Sequence, residues 1–401
     1  LLKEAGSNSC DIQRPIHEKV TRSSAKLLHD VPLHDTIRKR TYVRRGLMKR
    51  ICRFVFNHYL EMKQTIWKEC HGSLSYTDTS KDLSHNLKTD NPWLKESDSI
   101  ALQQTLRHLD RAYDNFFKKR GGYPKFRSKR YSQSYRTMNV NYCIRINGDR
   151  IRIPKAGEVR IRNTRDFEGR ILSATVSLSS GGRYYITLQV EEEWEILPNK
   201  GGETGIDAGL SVLYTDSRGN IVPNPGTLKK HEKKIAVLQR RLSKKKKGSK
   251  NREKARKRVA REMEKVSDIR RDCLHKVSYK LANENQVVCV EDLDVKGMMK
   301  NKRLAKSIGD VSWGEFYRML EYKMADHGGK MVKVPRTFPS RQQCSCCGKK
   351  EPKIKDLSVR RWKCASCGTI HDRDINAAIN ILKKGKERSR DPEKYRGSHG
   401  N

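Results

Sequence analysis

Cys344 and Cys347 form one C-x2-C pair and Cys364 and Cys367 a second, with sixteen residues between the pairs. Thiolates at that spacing suit a four-sulfur zinc site, in which two short knuckles each aim two ligands at one ion. A glycine follows each pair, Gly348 and Gly368, and glycine reaches the positive φ of a tight knuckle turn without a Cβ penalty. Cys346 lies inside the first knuckle as an alternative donor, but the two-residue gap favours Cys344 with Cys347. Four residues past Cys367 comes His371-Asp372-Arg373-Asp374, and then a helical apolar pattern in Ile375, Ala378, Ile379 and Leu382. Two acids therefore mark a helix start. A carboxylate there either caps orphan backbone N–H groups at the positive end of the helix dipole or serves as a metal ligand, and the local sequence leaves both open.

Two more acids occupy positions where a carboxylate is costly. Asp207 interrupts the apolar strand Thr204-Gly205-Ile206-Asp207-Ala208-Gly209-Leu210, which continues through Val212, Leu213 and Tyr214. A buried charge is tolerated only when paired or metal-bound. Glu291 and Asp292 end the buried-type strand Val287-Val288-Cys289-Val290, at the carboxyl end that ligand sites favour in open α/β sheets. Gathered by a fold, Asp207, Glu291 and Asp374 make an oxygen donor set for Mg²⁺ or Mn²⁺. Two such ions about 4 Å apart activate water and stabilise the departing oxygen of a phosphodiester. No Ser-His-Asp set, P-loop or dinucleotide fingerprint competes.

The elements that must position these groups belong to a strongly basic chain. Its 401 residues carry 87 Lys and Arg against 46 Asp and Glu, a formal charge of +41. So one-sided a balance implies a large polyanion, and nucleic acid is the leading partner class. No apolar run approaches the ~20 residues of a membrane helix and no signal peptide is visible, which predicts a protein that is cytoplasmic and nucleoid-associated in a bacterium or archaeon. Cys10, Cys52, Cys70, Cys143, Cys273 and Cys289 are scattered without a disulfide framework.

Residues 1–43 are polar and weakly periodic, and read as poorly ordered. A helical recognition region follows over 44–120. Its first helix has the stripe Leu47, Ile51, Val55, Tyr59, Met62 and Ile66, widened by Phe54 and Trp67, and its second, from about Asp98 to Lys119, has Leu102, Leu106, Leu109, Tyr113 and Phe116. Tyr123, Lys125 and Arg127, around Pro124 and Phe126, interleave aromatic and basic groups. Such a segment either stacks on bases while pairing phosphates or pins its aromatics into the adjacent core. From there to residue 200 the period becomes two, with a hairpin signal at Asn147-Gly148 between Ile146 and Ile151. These short antiparallel strands predict a small barrel or sandwich with one cationic face.

The nuclease-like part spans 201–343, the zinc ribbon 344–367, a last segment 368–382, and a disordered basic tail 383–401. Within the first of these, residues 228–265 hold eighteen Lys or Arg against four Glu, and read as a helix pair broken at Gly248-Ser249. Lys244, Lys245, Lys246 and Lys247 precede the break. Such a charge run repels itself unless a polyanion lies against it. Ser312-x-x-Glu315 matches a capping box opening a helix with Phe316, Met319 and Leu320.

Gly205-Ile206-Asp207-Ala208-Gly209, Val290-Glu291-Asp292-Leu293 with Val295-Lys296-Gly297-Met298, the paired C-x2-C knuckles and His371-Asp372-Arg373-Asp374-Ile375-Asn376-Ala377-Ala378 resemble the split RuvC nuclease domain of the TnpB (OrfB) family of insertion sequences, related to compact type V CRISPR nucleases. Tyr123-Pro124-Lys125-Phe126 is similar to the family segment that joins its helical and strand regions. The resemblance covers about residues 44–382. It implies an RNase H-like sheet carrying Asp207, Glu291 and Asp374 as metal-binding acids, and structural zinc on Cys344, Cys347, Cys364 and Cys367. It further implies a guide RNA, recognition of a short DNA motif by the N-terminal half, and cutting of both strands of a DNA target. The family opens with a short basic strand belonging to the barrel. Residues 1–43 show no such strand, Thr41-Tyr42-Val43 being a poor substitute, so the barrel is expected to have an open edge.

The expected architecture is therefore α+β and multidomain: an N-terminal helical bundle, a small antiparallel β-barrel, then an RNase H-like α/β domain with an inserted four-cysteine zinc ribbon. The leading function is an RNA-guided, metal-dependent DNA endonuclease. The alternatives are a non-catalytic nucleic-acid-binding regulator and a transposase performing strand transfer.

Overall fold

Helical stripes dominate the first hundred residues and alternating strands the next eighty, and the structure follows that change of period. A computed structural model describes residues 20–29, 36–128, 133–162, 167–193, 195–355 and 359–390, in two units, Leu1–Glu195 and Ile196–Asn401. In the first unit, β1 (Val20–His29) and α1 (Thr36–Cys70) lead to α2 (Tyr76–Asp82), the short α3 (Lys88–Asp90) and α4 (Ser99–Phe117). Ile51, Val55 and Tyr59 of α1 and Leu102, Leu106 and Leu109 of α4 are buried in one core. Phe54 and Trp67, expected to widen that buried face, are exposed instead, and Phe54 meets Trp93 edge-on at 5.0 Å between ring centroids. Asp98 caps α4 by accepting from the Ile100 N–H.

The strands β2 (Gln133–Met138), β3 (Arg145–Asn147), β4 (Arg150–Ile153), β5 (Gly157–Arg160), β6 (Arg170–Leu178) and β7 (Tyr184–Glu192) form two sheets, ordered β1-β7-β6-β2 and β3-β4-β5. Two expectations are corrected here. No closed barrel forms among the described residues, and Val20–His29, read as poorly ordered, is a strand paired antiparallel along β7 from Val20 opposite Glu192 to His29 opposite Tyr184. It covers the edge expected to be open. Its sequence, VTRSSAKLLH, lacks clean alternation, because the hydrogen-bonding edge of β7 rather than a hydrophobic period selects it. The expected hairpin is present, with Ile146 opposite Ile151, but Gly148 and Asp149 form its two-residue turn.

In the second unit, β8 (Gly202–Ala208), β9 (Val212–Asp216) and β10 (Ile221–Pro223) form an antiparallel meander. The basic helices α5 (Thr227–Ser243) and α6 (Lys250–Glu284) lead from it to β11 (Asn285–Glu291), α7 (Val295–Met298), α8 (Ala305–Val311), α9 (Trp313–Asp326) and β12 (Lys330–Val334). The sheet order is β10-β9-β8-β11-β12, with β11 parallel to both β8 and β12. After a two-stranded ribbon, β13 (Arg361–Lys363) and β14 (Ile370–Asp372), the helix α10 (Arg373–Arg390) returns to the sheet. It runs past Leu382, so the expected tail begins as helix, and Arg388 donates to the Lys333 carbonyl at 3.0 Å. Residues 391–401 of that tail lie outside the described residues.

Two glycines let α10 lie close. A Cβ on Gly205 of β8 would stand 2.2 Å from the Ala378 carbonyl oxygen, and one on Gly385 of α10 would stand 2.3 Å from the Cys289 sulfur. The helix expected after Ser312 is α9, but no capping box forms. Ser312 adopts a left-handed conformation with φ of 58° and donates to the Gly309 carbonyl, while Glu315 pairs with Arg271. Among the described residues, no helix is long and apolar enough to cross a membrane.

Candidate active site

Asp207 is the penultimate residue of the central strand β8 and is 3 % exposed. Ile206 is opposite Val290 in the parallel β11, so Glu291, next along β11, lies beside Asp207. The Asp207 carboxyl is pushed up to about 7, chiefly by burial and further by the charges of Glu291 and Asp374, against the lowering pull of Arg341. Arg341 Nη2 donates to both Asp207 oxygens, at 3.0 and 3.2 Å, and Ser340 Oγ donates to Glu291 Oε1 at 2.5 Å.

At the helix start, the capping role is taken by one of the two acids. Asp372 Oδ1 accepts from the backbone N–H groups of Asp374 and Ile375, at 3.0 and 3.2 Å, and is the cap. Asp374 is thereby spared that task, and its oxygens receive Arg360 Nη1 at 3.0 Å and Arg373 Nε at 3.4 Å. Asp207 and Glu291 thus lie side by side at the ends of β8 and β11. Asp374, at the start of α10, is near enough for its charge to act on Asp207, though the three do not bring their oxygens within 4.8 Å of one another. Each is held by its own donor. Ser340, Arg341 and Arg360 were not legible as site residues; their one signal is that they flank the knuckle and ribbon strands.

Among the described residues, the four cysteines are the one set of three or more potential ligands whose donor atoms all lie within 4.8 Å of one another. Cys344 and Cys367 sulfurs are 3.6 Å apart and Cys347 and Cys364 sulfurs 3.7 Å. Four sulfurs about 2.3 Å from one tetrahedral ion stand about 3.8 Å apart, so the donor set fits zinc. Cys346 is exposed and outside the set. His371 Nε2 lies 3.0 Å from Cys344 Sγ, its ring packed on Trp362 at 4.7 Å.

The expected nucleic-acid residues fall into two kinds. Lys244 to Lys247 are exposed at the α5–α6 turn, beside a cleft of about 550 Å³ lined by Arg241, Lys244, Lys245, Lys254 and Arg258 and by no acid. Arg252 donates to the Leu242 and Lys245 carbonyls and holds that turn in shape. Lys125 is exposed as well. Arg127 lies over the Phe56 ring at 3.6 Å and its backbone pairs with Asn57, while Tyr123 stands edge-on to Phe116 and Tyr113. Arg127 is thus held against the helical core, whereas Tyr123 and Phe126 remain exposed, so both roles stay open to the aromatics.

Comparison with known proteins places this geometry in a family. The family described as "Probable transposase" (OrfB_IS605) matches residues 185–302, and "Cas12f1-like, TNB domain" matches residues 313–381. A "Putative RNA-guided DNA endonuclease" of Streptomyces pristinaespiralis is 40 % identical over 336 residues, 83 % of each chain. "Putative RNA-guided DNA endonuclease InsQ" of Escherichia coli (strain K12) is 34 % identical over 351 residues, 83 % of this chain and 86 % of that one. The protein chain in a Cas12f1–sgRNA–target DNA complex shares the fold with a TM-score of 0.55, at 15 % identity, over 86 % of this chain and 82 % of that one. The chain belongs to the TnpB family, related to the compact type V nucleases.

Proposed function

We propose that this protein is an RNA-guided DNA endonuclease that hydrolyses both strands of a DNA target beside a short motif. The observation that carries the reading is the burial of Asp207 next to Glu291 and Asp374. The charges of Glu291 and Asp374 both act against an ionised Asp207, whose carboxyl is pushed up to about 7, and a divalent cation drawn between them relieves that cost. Asp207, Glu291 and Asp374 would hold Mg²⁺ or Mn²⁺, which supplies an activated water and charge stabilisation at a phosphodiester. The meander extended by two parallel strands, with its acids at one end, supports an RNase H-like nuclease domain. Asp372 caps α10 and leaves Asp374 available, Ser340 orients Glu291, and Arg341 and Arg360 balance charge at Asp207 and Asp374. Cys344, Cys347, Cys364 and Cys367 would hold one structural zinc.

The acid-free cationic cleft and Lys244 to Lys247 supply a surface for a guide RNA, whose phosphates and shape they engage without reading sequence. Lys125 is a further phosphate contact, with Tyr123 and Arg127 shaping the segment that presents it. The names of the relatives support both the guide RNA and the DNA target. The test is a cleavage assay on double-stranded DNA with guide RNA: Asp207→Ala should abolish cutting and leave nucleic-acid affinity close to wild type, because one carboxylate alters a charge of +41 very little. Retained cutting refutes the assignment. Strand transfer by the same acids is the second reading, favoured by the description of the matching family, and joined rather than cut ends would establish it.

A further inference from the structure

One end of the four-cysteine ribbon is joined to Asp207 and Glu291 by a short stretch of backbone, residues 340–345, while its other end runs through β14 to Asp374. That stretch carries Ser340, bonded to Glu291, Arg341, bonded to Asp207, and Cys344, the first sulfur of the metal set. It belongs to no helix or strand; on the ribbon side a β-bridge of Gln343 with Lys350 ties it, with the Cys344 N–H donating to the Lys349 carbonyl and the Glu351 N–H to the Gln342 carbonyl. Its anchor on the side of the acids is α10. Asn376 Oδ1 accepts from the Ser345 N–H at 2.8 Å, and Asn376 Nδ2 donates to the Gln343 carbonyl at 2.8 Å. Asn380 Nδ2 donates to the carbonyls of Ser340 at 2.8 Å and Gln343 at 2.6 Å.

Both asparagines are buried, 1 % and 4 % exposed, and stand one turn apart on the face where Ala377, Ala378 and Ile381 pack. Asparagine is a poor helix former, and a buried amide is costly unless fully bonded. Their placement makes sense only for what they grip. Asn376 is two residues beyond Asp374, so the helix that presents one acid also grips the strap that reaches the other two.

We propose that Asn376 and Asn380 are positioning residues of the acid cluster, docking the 340–345 strap on α10 so that Ser340 and Arg341 meet Glu291 and Asp207. The four-sulfur centre then fixes the far end of the same strap, which makes the ribbon an arm of the active centre. The functional half of this inference rests on the divalent-metal reading above.

The test uses the full chain. Asn380→Asp keeps the shape but removes the donor to two carbonyls. Amide hydrogen exchange over 340–345 should accelerate at least tenfold, zinc content should stay at the wild-type value, and Mn²⁺ affinity, measured by titration of the free ion, should fall about 10- to 100-fold, as loss of outer-sphere support does. In cleavage, kcat should fall while KM for DNA holds. Asn380→Ser, with one smaller donor, should lie between Asp and wild type. Wild-type exchange and wild-type Mn²⁺ affinity in Asn380→Asp overturn the proposal. If that variant does not fold, Asn376→Ser decides by the same readings. Wild-type protein that binds no Mn²⁺ defeats the divalent-metal reading instead, and the exchange measurement alone then judges the docking.

Discussion

Gly205→Ala tests how closely α10 must approach the sheet. The added Cβ would fall 2.2 Å from the Ala378 carbonyl oxygen and 2.6 Å from the Leu382 backbone nitrogen, whereas ordinary contact begins at 3.4 Å. Relief at the first atom therefore needs a displacement of about 1.2 Å, the difference between 3.4 and 2.2 Å. Both atoms are backbone, so no rotamer change absorbs it. The strand cannot retreat easily either, because Gly205 is registered against Cys289 of β11 and its carbonyl accepts from the Ser217 N–H. Overpacking of this kind costs about 1–3 kcal/mol, or roughly 3–10 °C of melting temperature for a domain of this size. The catalytic loss should exceed the stability loss, since a shift of about 1 Å at reacting groups costs on the order of 10²-fold, and Asp374 rides on the displaced helix. Melting curves and guided cleavage of plasmid DNA measure the two effects. Gly314→Ala, in α9 with open space around its Cβ, is the control and should melt at or slightly above wild type. Wild-type melting and cutting by Gly205→Ala would refute the packing account.

Purified protein should contain about one zinc per chain, and Cys364→Ser should lose it and melt several degrees lower; metal analysis that finds zinc retained would contradict the four-sulfur assignment. Replacing Lys244 to Lys247 with glutamine should weaken RNA binding and flatten its dependence on salt, because each neutralised phosphate releases condensed counterions. Affinity measured across a salt series checks this, and an unchanged slope would move the RNA path away from the α5–α6 turn.

Periodicity and spacing made much of the second unit legible. The four-cysteine set, the broken basic helix pair and the position of Asp207 in a strand could all be read from short-range patterns. What could not be read was set by partners distant in the chain. Val20–His29 has no strand period of its own and exists through β7, more than 150 residues later. Arg341 carries no motif, and only its approach to Asp207 gives it meaning. Asn376 and Asn380 did leave a trace, two amides inside an apolar helical stripe, but the carbonyls they bind are in an irregular loop. The Ser312 capping box failed for a local reason: α8 ends at Val311, and the left-handed turn that follows commits the serine hydroxyl backwards to Gly309.

The order of these parts along the chain sets when the cluster can exist during synthesis. Strand β8 with Asp207 leaves the ribosome early in the second unit, and Glu291 follows about 80 residues later, within several seconds at ordinary elongation rates of about 5–20 residues per second. The third acid and both strap-binding asparagines belong to α10, and the cap that spares it immediately precedes that helix; all are made after every strand of the sheet. Until α10 emerges, Gly205 faces an empty groove and Asp207 has no Asp374 beside it. A nascent or prematurely terminated chain can thus display its basic helices and collect RNA, yet it cannot assemble the three-carboxylate cluster. Under the proposed reading, synthesis of α10 is the step that arms the chemistry.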